Sequence, residues 1–335
     1  MSTVRLIVNP AASTVSDRVR DQVRAALASH SVTEVETKAR NHARELARHA
    51  VADGVDAIAV LGGDGTVNEA ANGLLDAVDD APGGGDGEGG GGGRADGDDG
   101  SPPTTALAAL PGGSTNVFIR TIGLPRKPAA AAAVVAAAIH RRSVRRIPVG
   151  RANGRAFLFH AGIGYDAAVV EQVERRSSLK RTLGQAVFVY AAFDTWFRHY
   201  DHANPQFHLE STDESGASDG PGVDGSFAIC LITNPYTYFG PRPLNVAPGA
   251  TGDSGLAAVT VRHLGVGSLL GVFGRALGSG EGVRRHPEVD VRRDRPRLVI
   301  RGYSPLPVQV DGDFLGRVDE VVLTSEPGRL PLIVP

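Results

Sequence analysis

Gly62-Gly63-Asp64-Gly65-Thr66 is the stretch of the chain whose residue types are best suited to chemistry. An apolar run, Ala57 to Leu61, stops at glycines set around one carboxylate, and Val67, Ala70, Ala71, Leu74 and Leu75 follow at helical spacing. That order reads as strand, tight turn, helix. Glycines let a backbone approach a ligand closely, and turn N–H groups beside a helix N-terminus suit phosphate oxygens. The Asp64 carboxylate would repel phosphates unless a cation such as Mg²⁺, or a reacting hydroxyl, lay between them. The motif therefore points to metal-bound nucleotide chemistry; the plainer alternative is a strand-to-helix turn capped by Asp64. A second apolar run, Ala106 to Leu110, also ends in glycines, Pro111-Gly112-Gly113-Ser114-Thr115-Asn116, before a short helical pattern from Val117 to Arg120. Two such turns suit a triphosphate. The Walker pattern G-x-x-x-x-G-K-[ST] does not occur, so phosphates would rely on turn N–H groups, helix dipoles and Mg²⁺.

The elements that must position these turns are legible upstream. Val4 to Val8 is a short buried strand stopped by Asn9-Pro10, because proline cannot continue the pairing. Ser16 to Ala28 and Ala39 to Ala52 carry apolar residues at helical spacing, with Gly54 closing the second helix, and Thr33 to Thr37 alternates as a strand. Strand, helix, strand, helix, strand implies a parallel α/β sheet, in which ligands bind beyond the carboxyl ends of the strands. Pro128 to Ile139 reads as an alanine-rich packing helix. The basic run Arg141-Arg142-Ser143-Val144-Arg145-Arg146 suits either an anionic membrane surface or a solvated helix end.

Beyond Ile147 the pattern changes to short alternating segments: 156–159, 226–233, 257–261, 297–301, 307–310 and 320–323. This is the signature of an antiparallel β domain. Two helices interrupt it, Tyr165 to Val173 and an aromatic stripe from Leu183 to Phe197 that suits a core or an acyl chain. The Gly/Asp-rich insertion 79–103 and the polar loop Ser211 to Gly225 have little to bury and read as disordered.

At 335 residues the chain has room for two domains. With 41% hydrophobic residues and no run of eighteen apolar ones, it shows neither a transmembrane helix nor a signal peptide, so a cytoplasmic location is expected. The single cysteine, Cys230, excludes an intramolecular disulfide and reads as a buried strand thiol. A net charge of −2 argues against a nucleic-acid partner.

Taken together, these segments resemble the diacylglycerol kinase catalytic-domain family, in its bacterial lipid-kinase branch, related to sphingosine kinases and more distantly to NAD kinases. The matching pieces are Val8-Asn9-Pro10, the 41–47 helix start, Gly62 to Thr66 with Asn68-Glu69, Leu110 to Asn116, Gly162-Ile163-Gly164-Tyr165-Asp166-Ala167, the 234–250 stretch with Ala247-Pro248-Gly249-Ala250, and Val310-Asp311-Gly312-Asp313. The resemblance implies an ATP- and Mg²⁺-dependent kinase that phosphorylates a lipid hydroxyl, such as that of diacylglycerol or a long-chain base. Its fold would be a Rossmann-like α/β domain with a parallel sheet, 1–144, and an antiparallel β-sandwich domain, 145–325, with the active cleft between them and 326–335 returning to the first domain. By position, Asn9, Gly62, Gly63, Asp64, Gly65, Thr66, Gly112, Gly113 and Ser114 fall on the nucleotide site, with Asp64 reaching Mg²⁺ through ATP. Asp311 falls on the family's general base, and Asp313 on a neighbouring acidic position, assigned here with the nucleotide-binding residues.

Two departures stand out. Val117 follows Asn116 where many bacterial members carry aspartate, and Asp253-Ser254-Gly255-Leu256-Ala257-Ala258 keeps the first acid of a metal signature, Asp253, but loses the last. The implied partners are a lipid substrate at the membrane surface and transient peripheral contact with the inner face of the membrane; a homodimer is compatible with the chain. The rival functions are an NAD kinase-like phosphotransferase, for which no nicotinamide-binding segment is seen, and a non-catalytic lipid or nucleotide binder.

Overall fold

In the computed structural model, the described residues are 1–80, 105–175, 204–212, 220–232, 245–250 and 252–335, with positions 194, 201, 217 and 218. They form two compact units, one of residues 1–112, 125–146 and 330–335, the other of 113–124 and 147–329. Most of the insertion, the aromatic segment 183–197 and the 234–240 part of the family pattern lie outside the described residues.

The first unit is built on parallel strands. β1 (Thr3–Val8) pairs with β2 (Ser31–Glu36) on one side and β3 (Ala57–Gly62) on the other, and β3 pairs with β4 (Ala106–Pro111). β3 and β4 are buried at every position, the near-continuous apolar run expected of strands covered on both faces. α1 (Asp17–Ala26) begins where the Ser16 side chain accepts from Val19 N, a conventional cap. α2 (His42–Ala52) ends before Gly54, at φ +68°. α3 (Asp64–Asp79) packs on α2 so closely that a Cβ on Gly73 would lie 2.1 Å from Arg44 O. Arg44 also holds Asp76 from the same helix with contacts of 2.6 and 2.9 Å. The strand order β2-β1-β3-β4 reverses direction between β1 and β3, which is where α/β sheets of this type bind ligands.

The second unit contains the short helix α4 (Val117–Thr121); α5 (Pro128–His140) belongs to the first unit. The basic run after α5 is the junction of a helix end and a strand: Arg141 closes α5, Arg142 has φ +53°, and Arg145 and Arg146 are exposed at the start of β5 (Val144–Ala152). β6 (Arg155–Phe157), β7 (His160–Gly164), β8 (Phe207–Thr212), β9 (Val223–Gly225), β10 (Phe227–Leu231), β11 (Leu256–Val261), β12 (Val289–Arg295) and β13 (Arg297–Val310) follow, and β14 (Asp313–Ile333) closes the chain. Their pairings within the second unit are antiparallel, in the order β12-β11-β10-β7-β13-β14 with β8 beside the first half of β13. Inward side chains such as Phe157, Ile163, Phe207, Leu209, Ile300 and Val308 make one core. Cys230 sits among them, and burial pushes its thiol up to about 12.

Three sequence expectations are corrected. The segments 297–301 and 307–310 are one strand, β13, continuous through a register shift between Arg301 and Leu306. The described part of the stretch 211–225 is ordered: Ser211 and Thr212 end β8 and 223–225 form β9. Arg292 explains part of that order, donating to Ser211 Oγ at 2.9 Å and to Pro221 O at 2.6 Å. A helix, α7 (Val266–Ala276), precedes a short α8 (Glu281–Arg284) where the sequence suggested few helices.

Candidate active site

In the first unit, the ends of β1, β3 and β4 are tied together by their own polar groups. Asn9 N donates to Leu61 O at 2.9 Å and Gly112 N to Gly62 O at 2.8 Å. The Asn9 side chain bridges further: Nδ2 donates to Thr66 Oγ1 at 2.9 Å, while Oδ1 accepts from Ala11 N at 3.0 Å. Glycine is required at two of these points. A Cβ on Gly112 would lie 2.8 Å from Gly62 N and 2.9 Å from its Cα, and one on Gly62 would lie 2.7 Å from Thr66 Cβ. Gly65 has nothing within 4 Å of where a Cβ would stand. α3 starts at Gly63, which offers no side-chain cap, and Asp64 is its first residue rather than its cap. A sixteen-residue helix thus presents its first turn at the sheet's switch point with a glycine in the cap position, the arrangement in which helix ends receive phosphate.

The residues after Gly112 count with the second unit. There Asn116, at φ +47°, closes the second glycine turn: Oδ1 accepts from Gly113 N at 2.9 Å and Nδ2 donates to Gly113 O at 2.6 Å. Ser114 is exposed.

The second unit also holds Asp311. It and Gly312, with φ of +51° and +84°, form a two-residue turn joining β13 to β14, flanked by the pair Val310 and Asp313. Asp-Gly suits such a turn because both central residues take positive φ. The Asp311 side chain turns inward, and the residue is 4% exposed. Its Oδ2 accepts from Leu158 N at 2.7 Å; its Oδ1 accepts from Phe159 N at 3.0 Å and His160 N at 3.1 Å. Asp311 N in turn donates to His160 O at 2.9 Å. α6 (Tyr165–Arg175) braces the start of β14, Glu174 accepting from Phe314 N and Glu171 from Arg317. Asp313 is half-buried, with Arg155 Nη2 at 3.8 Å. Tyr165, at the start of α6, has its hydroxyl pushed up to about 12 by burial and by the Asp166 charge.

Sequence reading assigned no role to Gln309, His160 or Asp166, which lie against this turn. Gln309 is fully buried and its Nε2 lies 2.6 Å from Asp166 Oδ2 and 2.7 Å from His160 Nε2. Only the quoted Gly162 to Ala167 pattern pointed towards the region.

Among the described residues no three His, Cys, Asp or Glu side chains gather closely enough to hold a metal, and Asp253 is exposed on a turn. The described residues thus gather no protein-held metal cage at Asp253; Mg²⁺ carried on a nucleotide would keep most of its waters and need only one or two carboxylates. Among the described residues, no helix is long and apolar enough to cross a membrane.

Comparison with known proteins agrees with this architecture. Residues 3–152 match the diacylglycerol kinase catalytic domain. A Pseudomonas aeruginosa PAO1 protein named "Probable lipid kinase YegS-like" is 28% identical over 94% of this chain and 90% of its own. A Bacillus subtilis protein named diacylglycerol kinase is 28% identical over 84% of this chain and 78% of its own. A diacylglycerol kinase structure from Bacillus anthracis str. Sterne covers 100% of this chain and 97% of its own at 21% identity, with a TM-score of 0.66. Another structure from that organism reaches 0.72. The protein is thus a kinase, a phosphotransferase of two-domain α/β and antiparallel β build. Its residues 3–152 are similar to the diacylglycerol kinase catalytic domain.

Proposed function

We propose that the protein transfers the γ-phosphate of ATP to the hydroxyl of a membrane lipid. The observation that carries the reading is the first turn of α3, opened by Gly63 at the β1/β3 switch point and held by Asn9, Thr66 and Gly112. In the first unit Asn9, Gly62, Gly63, Gly65, Thr66 and Gly112 would hold the nucleotide, and Asp64 would receive the Mg²⁺ that accompanies it. Bound Mg²⁺ supplies neutralisation of the phosphate charge.

The remaining chemistry asks mainly for positioning. Asp311 accepts the hydrogen bond of the lipid hydroxyl and takes its proton late; a carboxylate already receiving three amide donors is a fixed acceptor more than a strong base. Asp313 lines the same turn. The acceptor resides in a bilayer, so the protein works at the membrane's inner face by transient contact.

The decisive experiment incubates the purified protein with labelled ATP and Mg²⁺ in the presence of diacylglycerol, a long-chain base, a polyprenol or NAD. Label in one of the lipids is the expected result. Label in NAD alone assigns an NAD kinase-like reaction, and label in none removes the catalytic reading. Asp64→Asn should weaken Mg-ATP binding, and an unchanged ATP titration would remove Asp64 from the metal site.

A further inference from the structure

α7 and the turn after it leave an uncharged stripe on the surface of the second unit. Gly267, Leu270, Gly274 and Leu277 recur at spacings of three and four, so they share one helix face, and all four are exposed. Leu270 is 67% exposed and Leu277 37%. The buried residues Val272 and Ala276 lie on the opposite side. A Cβ on Gly267 or Gly274 would meet nothing within 4 Å, so these glycines do not admit a neighbour. They keep the stripe low, and the two leucines stand out from it. A helix face turned only to water ordinarily carries charged or polar side chains; this one carries none.

Basic groups border the stripe. α8 runs back along α7: a Cβ on Gly271 would lie 3.2 Å from His286 Nε2, and one on Gly282 would lie 3.0 Å from the Arg275 stem. Arg284 and Arg285 fall between these two levels; both are exposed and neither makes an ion pair among the described residues. Beside them, α8 and β12 enclose a cavity of about 120 Å³ lined by Pro248, Glu281, Arg284, Val291 and Arg293. Arg293 reaches it from β12 and is steadied by donating to Pro248 O at 2.5 Å. Two guanidiniums against one carboxylate leave the cavity net positive. Small-molecule pockets begin at about 300 Å³, so this one suits a single phosphate group and not a nucleotide.

We propose that this face of the second unit seats on an anionic bilayer. Leu270 and Leu277 enter between the headgroups, Arg284 and Arg293 take one lipid phosphate, and Arg285 adds its charge at the same level. The proposal deepens the lipid-kinase reading, on which it rests for its purpose, and stands on the surface itself for its chemistry. A soluble acidic partner would match the arginines and leave the leucines in water. An apolar partner would cover the leucines and strand the arginines. An anionic bilayer offers apolar depth below a layer of negative charge, which is the order found here.

Sedimentation of the full chain with vesicles tests this, using phosphatidylcholine alone and phosphatidylcholine with an equal part of phosphatidylglycerol. The parent should bind the anionic vesicles at least tenfold more tightly. Arg284→Gln with Arg285→Gln should weaken that binding about fivefold for each charge removed, a gap that narrows as salt is raised. Leu270→Ser with Leu277→Ser should weaken it at least tenfold at every salt concentration, because apolar burial is not screened. All four side chains are exposed, so the exchanges spare the core. Arg145→Gln with Arg146→Gln, exposed charges of the first unit, should bind as the parent does. Parent-like binding by the arginine pair or the leucine pair overturns the proposal, as does a loss confined to the Arg145 and Arg146 variant. Inorganic phosphate that binds at Arg284 in a parent indifferent to anionic vesicles marks a site for a soluble anion, and the membrane face falls. Binding needs no turnover, so the two readings fail separately. A parent that binds anionic vesicles through these residues yet phosphorylates no lipid loses the proposed function and keeps the surface. A parent that phosphorylates lipid while its variants bind vesicles equally well keeps the function and loses the surface.

Discussion

At Asp311, three main-chain N–H groups converge on one carboxylate from Leu158, Phe159 and His160. Asp311→Asn replaces one accepting oxygen with an NH₂ that faces donors, and a buried mismatch of this kind costs about 1–3 kcal/mol. The variant should therefore melt below the parent, lose about 10²- to 10⁴-fold in lipid phosphorylation, and keep its ATP affinity. Differential scanning calorimetry alongside labelled-ATP turnover separates the two effects; a parent-like turnover would remove Asp311 from the chemistry, and a parent-like melting temperature would deny the amide clasp. Asp56 makes a second carboxylate prediction. Hydrogen bonds from Thr3 N at 2.6 Å and Thr3 Oγ1 at 2.8 Å hold its ionised form, and its pKa is lowered from 3.8, chiefly by the backbone donor. A carboxylate depressed on folding contributes stability that is complete above its unfolded value and lost as pH falls through the folded one. Asp56→Asn should thus flatten the fall in stability below pH 3.8, measured by urea melts across the acid range. An acid limb as steep as the parent's would show that this pair carries none of it.

Among elements, the two glycine turns act through contact between strand ends rather than through any one side chain. Gly112→Ala would bring a Cβ within 2.8 Å of Gly62 N, forcing the ends of β3 and β4 apart and lengthening the hydrogen bond between Gly112 N and Gly62 O. Overpacking of this kind costs about 1–3 kcal/mol. The variant should bind ATP at least tenfold more weakly by isothermal titration, and unchanged affinity would mean the turns do not share the nucleotide. The parallel elements were legible because apolar runs such as Ala57–Leu61 and Ala106–Leu110 stop abruptly at glycine, and because helices around Val23 or Leu74 carry a clear stripe. α7 was hidden by Gly267, Gly271 and Gly274, each disfavouring a helix by about 1 kcal/mol relative to alanine. β8 and β9 were hidden because the stretch between them is polar, and Arg292, more than sixty positions further along, supplies partners that local pattern cannot reveal. Asp311 was legible as an Asp-Gly turn, which the structure shows between β13 and β14. Gln309 was not legible: it occupies an ordinary alternating strand, and its partners lie 149 and 143 positions away.

Across the whole molecule, the order of the chain and the order of the fold differ. The first unit begins at residue 1, yet it is completed by 330–335, the last residues of the sequence. Leu332 pairs in parallel with Leu107, Val334 N donates to Ser143 O at 3.1 Å, and Leu330, Leu332 and Ile333 are buried. Covering a large aliphatic side chain contributes about 1.5–3 kcal/mol, and β4 would be left an exposed edge without its neighbour. A chain ending at Arg329 should therefore weaken the first unit although every residue of β1 to β4 is intact. Hydrogen exchange across 106–111 should quicken by at least tenfold in the shortened chain, with the Asp311 turn in the second unit keeping its protection. Equal protection of 106–111 in both chains would mean that β4 is stable without the last strand. The expected result carries a kinetic corollary: the first unit cannot reach full stability until the final residues close it. Contacts separated by more than two hundred positions must form for the nucleotide turns to acquire their final rigidity, and non-local closure of that kind slows folding.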